Sequence, residues 1–300
     1  MLPAPAQSPS HNPRHSRYPA DRRAPRHHAD PQNMLALFAA NHGAVMPALQ
    51  PALQLRGGMS IAGVEPEQVA TGLNLLLGLQ GVMMIQNQGK IHEVYDVKPT
   101  PISEFFTENG GAILAGFAIA ATMALGGTDA AECIGYGNIP TNLQNIKDFV
   151  AGTADKNGWG APAKFLPLVV NGVLTAAMLG KIDAISSADA VKGFAIWFLA
   201  NAVGLYALPN EAMEGWGISS MSAGDVSFTK LFATMLGSMG AFAYQLSDGK
   251  SATEAIGAGW AVNTAMSATQ QLITKDGVGD PDKGKFWLAV GGVGAAALLL

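Results

Sequence analysis

Two short stretches, Glu132-Cys133-Ile134-Gly135-Tyr136-Gly137 and Glu254-Ala255-Ile256-Gly257-Ala258-Gly259, carry one pattern in the two halves of a 300-residue chain. The likeness continues outward. Asp155 to Phe165 (DKNGWGAPAKF) answers Asp276 to Phe286 (DGVGDPDKGKF), and Tyr95 falls opposite Trp216. A period of roughly 121 to 124 residues reads as an internal duplication, so whatever one half folds into, the other is expected to fold into as well.

Charge limits the solvent in which such halves can sit. Soluble domains carry about 25% charged residues; here the share is 13%, against 49% hydrophobic residues. The charges are also segregated, with all six Arg at or before Arg56 and all twelve Lys from Lys90 onward. Residues 1–58 are therefore read as a separate, disordered targeting leader. They hold Arg14, Arg17, Arg22, Arg23, Arg26 and five of the six His, with Asp21 and Asp30 as the only acids. Such a composition cannot bury a core, and an Arg-rich, acid-poor start suits an organelle presequence. Met34 offers a second start, followed by the short apolar run Leu35-Ala36-Leu37-Phe38. The basic residues lack interleaved aromatics, so no nucleic-acid partner is expected.

The remaining chain reads as all-α, a polytopic membrane protein of two tandem four-helix repeats, residues 59–182 and 183–300, with about eight helices. In the first repeat, Val69 to Gln86 and Gly110 to Leu125 are uncharged runs close to the ~20 residues that a ~30 Å hydrocarbon layer needs. Residues 88–108, with Lys98-Pro99-Thr100-Pro101, are expected to form an interfacial loop. A third segment from Asp129 is too polar to face lipid all round, holding Asn138, Thr141, Asn142, Gln144 and Asn145, and is expected to be amphipathic. Phe165 to Leu179 is the fourth. The second repeat follows with Val191 to Leu208, Phe228 to Leu246, Ser251 to Ile273 and Phe286 to Leu300. Nine lysines fall in the connections after the odd-numbered helices and three on the other side, which puts the lysine-rich face in the stroma, matrix or cytosol.

Little in the sequence speaks for chemistry. Cys133 is the only cysteine and His92 the only histidine after His42, so no intrachain disulfide, Cys-x-x-Cys motif or His cluster exists. No nucleophile elbow or phosphate loop is present, and an enzyme is not expected. Glu132 and Glu254 occupy matching positions, where a cation or proton site is one reading. Capping is the other, because Asp129-x-x-Glu132 and Ser251-x-x-Glu254 both have capping-box spacing. Gly135, Gly137, Gly257 and Gly259 are read as helix-packing residues that let backbones approach closely, and Asn171 and Asn201 as amides within apolar runs, bonding between helices.

The turn Pro209, Asn210, Glu211, Trp216, Gly217 after a first helix, together with four short helices and a Gly-rich packing helix, resembles the DoxX-like group of small four-helix membrane proteins, here as two fused copies. His92, Glu93, Tyr95 and Asp96 stand at that turn in the first copy. The resemblance implies an arrangement and no activity. The leader in turn resembles those of algal nuclear-encoded plastid proteins. The functional expectation is a non-catalytic structural or assembly protein of an organelle membrane, the plastid first and mitochondrion or endomembrane as alternatives, with the lipid bilayer and a larger membrane complex as partners. A small-solute permease is the second reading and a quinone- or pigment-binding component the third; no cofactor is identified.

Overall fold

Prolines and small polar caps set where the helices begin. In the computed structural model, which describes residues 64–275 and 281–299, Pro66, Pro101 and Pro209 each stand at the first helical position. A missing N–H costs nothing there and the fixed φ suits the helix. Thr100 with Ser103, Ser222 with Asp225 and Ser251 with Glu254 close capping boxes, each pair satisfying two orphan N–H groups.

The order is α1 (Pro66–Gln86), α2 (Gln88–Val94), α3 (Pro101–Leu125), α4 (Ala130–Gly137), α5 (Ile139–Ala151), α6 (Thr153–Lys156), α7 (Ala161–Met178), α8 (Ser187–Ala207), α9 (Pro209–Gly215), α10 (Ala223–Ser247), α11 (Ala252–Ala268) with a π-helical turn Thr269–Ile273, and α12 (Pro281–Leu299). No strand occurs among the described residues. The first three helices have 21, 7 and 25 residues, and so do α8, α9 and α10.

Packing follows the same order. α1 lies on α3 and α8 on α10; α3 meets α10 at the centre; α7 reaches α8, and α12 reaches back to α1. The central seam is apolar. Phe106 meets Phe232 at 4.7 Å between ring centroids and Phe117 meets Phe242 at 4.9 Å, both within the favourable range for aromatic pairs. At one end a polar clasp spans the halves: the Thr100 hydroxyl donates to the Asp225 carboxylate, and Gly160 N–H donates to the Trp216 carbonyl at 3.0 Å. The connections that follow α1, α6 and α8 therefore share that end. His92 is locked nearby, its ring nitrogens against the Gln88 carbonyl (2.8 Å) and Ser103 hydroxyl (3.0 Å), its face stacked on Phe228.

Among the described residues five helices, α1, α3, α7, α8 and α10, are long and apolar enough to cross a membrane, where the sequence leads one to expect about eight helices in a polytopic arrangement. α11 has 17 residues, and the apolar part of α12 is Trp287–Leu299. Two expectations need correction. Residues 88–108 are helical for most of their length, because Lys98-Pro99 precedes the cap Thr100 and Pro101 opens α3 rather than interrupting it. The polar third segment is three helices, not one: it breaks at Asn138-Ile139-Pro140, where Pro140 withholds an N–H, and at Gly152, whose φ of 64° is the left-handed region glycine favours. The leader, residues 1–58, lies outside the described residues.

Candidate functional site

α5 orients this region by turning its faces the wrong way round for water. Its sequence puts Asn138, Thr141, Asn142, Asn145 and Asp148 on one stripe at helical spacing. That stripe is turned inward: Thr141, Gln144 and Asn145 are buried. The opposite face carries Leu143, Ile146, Phe149 and Val150, all exposed, Leu143 at 61% and Val150 at 78%.

At the C-terminal end of α5 the inward groups meet α3. The Glu108 carboxylate accepts from Gln88, from Gln144 Nε2 at 2.6 Å and from Lys147 Nζ at 2.6 Å. Lys147 is more than half exposed, so this ion pair contributes at most about 1 kcal/mol. Asp148 Oδ2 accepts from Asn109 Nδ2 at 2.9 Å and Gln144 Nε2 at 3.2 Å, and Oδ1 from the Thr153 hydroxyl at 3.4 Å. Asp148 lies outside the five membrane-length helices. Burial pushes its carboxyl above the ordinary aspartate range; the Asn109 and Gln144 bonds and Lys147 oppose that shift, and the Glu108 charge adds to it.

Beside Asp148 lies a small cleft of about 20 Å³, lined among others by Phe105, Phe149, Trp159, Asn145, Thr153 and Lys164. Lys164 pairs with Asp155 at 2.5 Å and sits 5.5 Å from the Phe165 ring centre. Pro167, inside α7, has no N–H to return to the carbonyl of Ala163, and both residues line the same cleft.

From the cleft a seam of amides runs between α5 and α7. The Thr175 hydroxyl accepts from Asn138 Nδ2 at 2.9 Å and from Asn142 Nδ2 at 2.8 Å. Asn171 lies one turn closer to the cleft on the Thr175 face of α7. Asn138, Asn145 and Asn171 are 1%, 8% and 5% exposed. Yet Asn138 Oδ1, Asn142 Oδ1, Asn145 Nδ2 and Asn171 Oδ1 have no hydrogen-bond partner in the protein. A buried polar atom left unpaired costs about 1–3 kcal/mol. Which amide atom is oxygen follows from the hydrogen-bond pattern: Asn142 Nδ2 donates to the Asn138 carbonyl at 3.1 Å as well as to Thr175.

The residues singled out from sequence lie elsewhere, except one. Asp129 caps α4, accepting from Ala131 and Glu132 N–H at 2.9 and 3.1 Å, while Glu132 is exposed in the first turn. Ser251 and Glu254 bond reciprocally, and the exposed Glu254 carboxyl is held below the ordinary glutamate range by the Ser251 hydroxyl and N–H. These two acids sit at helix starts and do not converge with the cleft. Asn201 donates to the Trp197 carbonyl of its own helix at 2.8 Å, so it is not an interhelical bond; Asn171 belongs to the seam.

The four glycines occupy close crossings. A Cβ on Gly135 would stand 2.7 Å from Leu179, and one on Gly257 2.9 Å from Leu298; one on Gly137 would stand 2.7 Å from the Gly116 carbonyl, and one on Gly259 3.0 Å from the Ser238 carbonyl. Sequence reasoning passed over Glu108, Asp148 and Thr175, whose signal was the spacing of Asn138, Asn142, Asn145 and Asp148 along one helical face. Among the described residues no group of three or more His, Cys, Asp or Glu is placed to hold a metal ion. No protein-family model matches the chain, and searches of curated proteins and of solved structures return no significant match.

Proposed function

We propose that the chain is an integral membrane protein of an organelle, the plastid first, built from two tandem four-helix copies and serving a non-catalytic structural or assembly role. The observation that carries the membrane part is the inverted α5, with amides inward and Leu143, Ile146 and Val150 outward. In water such a helix would hold its apolar face in the wrong solvent; in lipid that face is solvated and the backbone is satisfied within the helix. Exposed Val169, Ile196 and Val203 on α7 and α8 fit the same environment.

The two-copy arrangement is supported by the recurrence of 21, 7 and 25 residues, and by capping boxes at Thr100 and Ser222. Gly137 and Gly259 add to it by meeting carbonyls that lie 122 positions apart, Gly116 and Ser238. The likeness to DoxX-like proteins belongs to this proposal as an arrangement alone. The Arg-rich leader supports an organelle address, and the positive-inside bias favours the stroma, matrix or cytosol for the end that carries Lys90, Lys98 and Lys156. An assembly role fits a centre in which aromatics of the two halves pack together, Phe106 on Phe232 and Phe117 on Phe242.

Solubilisation in a mild detergent tests the assembly role. Co-migration with a larger membrane complex is the expected result; recovery as a solitary, monodisperse protein that carries a solute across vesicles contradicts it. A small-solute permease is the second reading, favoured by the polar seam between α5 and α7.

A further inference from the structure

From the geometry of the α5–α7 seam we infer that it is a binding site for water, a hydrogen-bonded file that enters at the Asn145 cleft and reaches Thr175. Three observations on separate residues point to it. Asn145 is buried to more than nine-tenths, lines the cleft and has a donor without an acceptor. Asn142, Asn171 and Asn138 continue the stripe with three acceptors that lack donors. Thr175 already accepts twice, from Asn138 and Asn142, which leaves its own O–H to be donated.

A chain of molecules that each donate and accept resolves this arrangement, and buried waters make about three such bonds to groups of this kind. A metal ion suits the seam poorly, because Asn and Thr bring no charge to it and, among the described residues, no group of three or more His, Cys, Asp or Glu could hold one. An apolar ligand satisfies none of the four atoms. From Asn145 to Asn138 the stripe runs seven steps, about 10 Å at 1.5 Å per residue. The file begins at the cleft, which has room for about one water beside Asn145. It rests on the membrane reading only for what covers the outer face of α5, and the experiment separates the two.

Single cysteines are placed at the cleft (Asn145→Cys), deep in the seam (Thr175→Cys, close to isosteric) and on the outer face of the same helix (Leu143→Cys). The native Cys133 is fully buried and the unsubstituted protein serves as its control. Protein in lipid vesicles open to both sides is exposed to silver ion, a thiol-reactive probe of about the size of water, and thiols still free are then alkylated under denaturing conditions. A hydrated seam gives blocking of Thr175→Cys at a rate within tenfold of Asn145→Cys, with Leu143→Cys at least a hundredfold slower. Blocking of Thr175→Cys as slow as that of Leu143→Cys overturns the water file and leaves the membrane reading standing. Fast blocking of Leu143→Cys overturns the membrane reading, and the Thr175→Cys rate still decides the seam. Only monodisperse protein is scored. Should Thr175→Cys not fold, radiolytic hydroxyl labelling of the unsubstituted protein replaces it: strong oxidation at the seam residues Asn138, Asn142 and Thr175 supports the file, and protection equal to that of Phe194 in the core overturns it.

Discussion

Gly137 and Gly172 are both helical glycines, yet they carry opposite predictions. A methyl on Gly137 would lie 2.6 Å from Ala120 Cβ, so Gly137→Ala has to force α4 off α3 and is expected to cost about 1–3 kcal/mol. Nothing stands within 4 Å of a methyl on Gly172, and alanine there is expected to stabilise α7 by roughly 0.5–1 kcal/mol. Thermal unfolding of both variants in one detergent checks the pair. Asp225 carries a larger burden: it is buried, closes the Ser222 capping box and accepts from Thr100 across the halves. Asp225→Ala is expected to lose about 2–3 kcal/mol, the cap together with a charge-assisted bond.

Asp148 gives a pH signature of fixed sign. Its folded pKa is raised, so the folded state keeps a proton that the unfolded chain has already lost; stability is higher below the ordinary aspartate range and falls as pH rises through the raised value. Asp148→Asn is expected to remove that fall in a series of melting temperatures. Glu254 acts in reverse. Its pKa is lowered, so its contribution is present above the ordinary glutamate range and is lost as pH falls through the lowered value; Glu254→Gln is expected to flatten the acid limb alone.

At the scale of elements, the test of α5 is a charge on its outward face. Ile146→Lys is neutral to folding if that face meets water. In lipid it is expected to cost up to about 3 kcal/mol, less the nearer the position lies to the headgroups, and to lower the membrane-incorporated yield, read by fractionation against Lys147→Ala. The orientation of α5 also marks where the sequence stopped being legible. Asn138, Asn142 and Asn145 at helical spacing announce two unlike faces, but the pattern alone does not say which is inward, because that depends on the solvent outside. The apolar runs themselves were readable: Val69 to Gln86 falls within α1 and Val191 to Leu208 on α8. What escaped were the polar first turns. α3 begins at Pro101 and carries Glu104, Glu108 and Asn109 before its apolar stretch, so a window that seeks uncharged residues starts it nine residues late, at Gly110. Glu108 and its partners were lost with that turn.

For the whole molecule, the described residues belong to one compact unit in which α3 and α10 share an aromatic centre and α12 returns to α1. The low charge of the sequence anticipated a fold held by packing, and the described ion pairs, Glu108 with Lys147 and Asp155 with Lys164, join partly exposed groups near the helix ends. The amide seam was not readable at this scale, since it needs α5 and α7 brought face to face across the α6 turn. The reading of α5 as inverted supposes a hydrocarbon surround. Alkaline carbonate extraction of membranes from cells that express a C-terminal fluorescent fusion tests that supposition most directly. Integral placement predicts that fluorescence stays with the membrane pellet and enters solution only with detergent; release into the carbonate supernatant would contradict it.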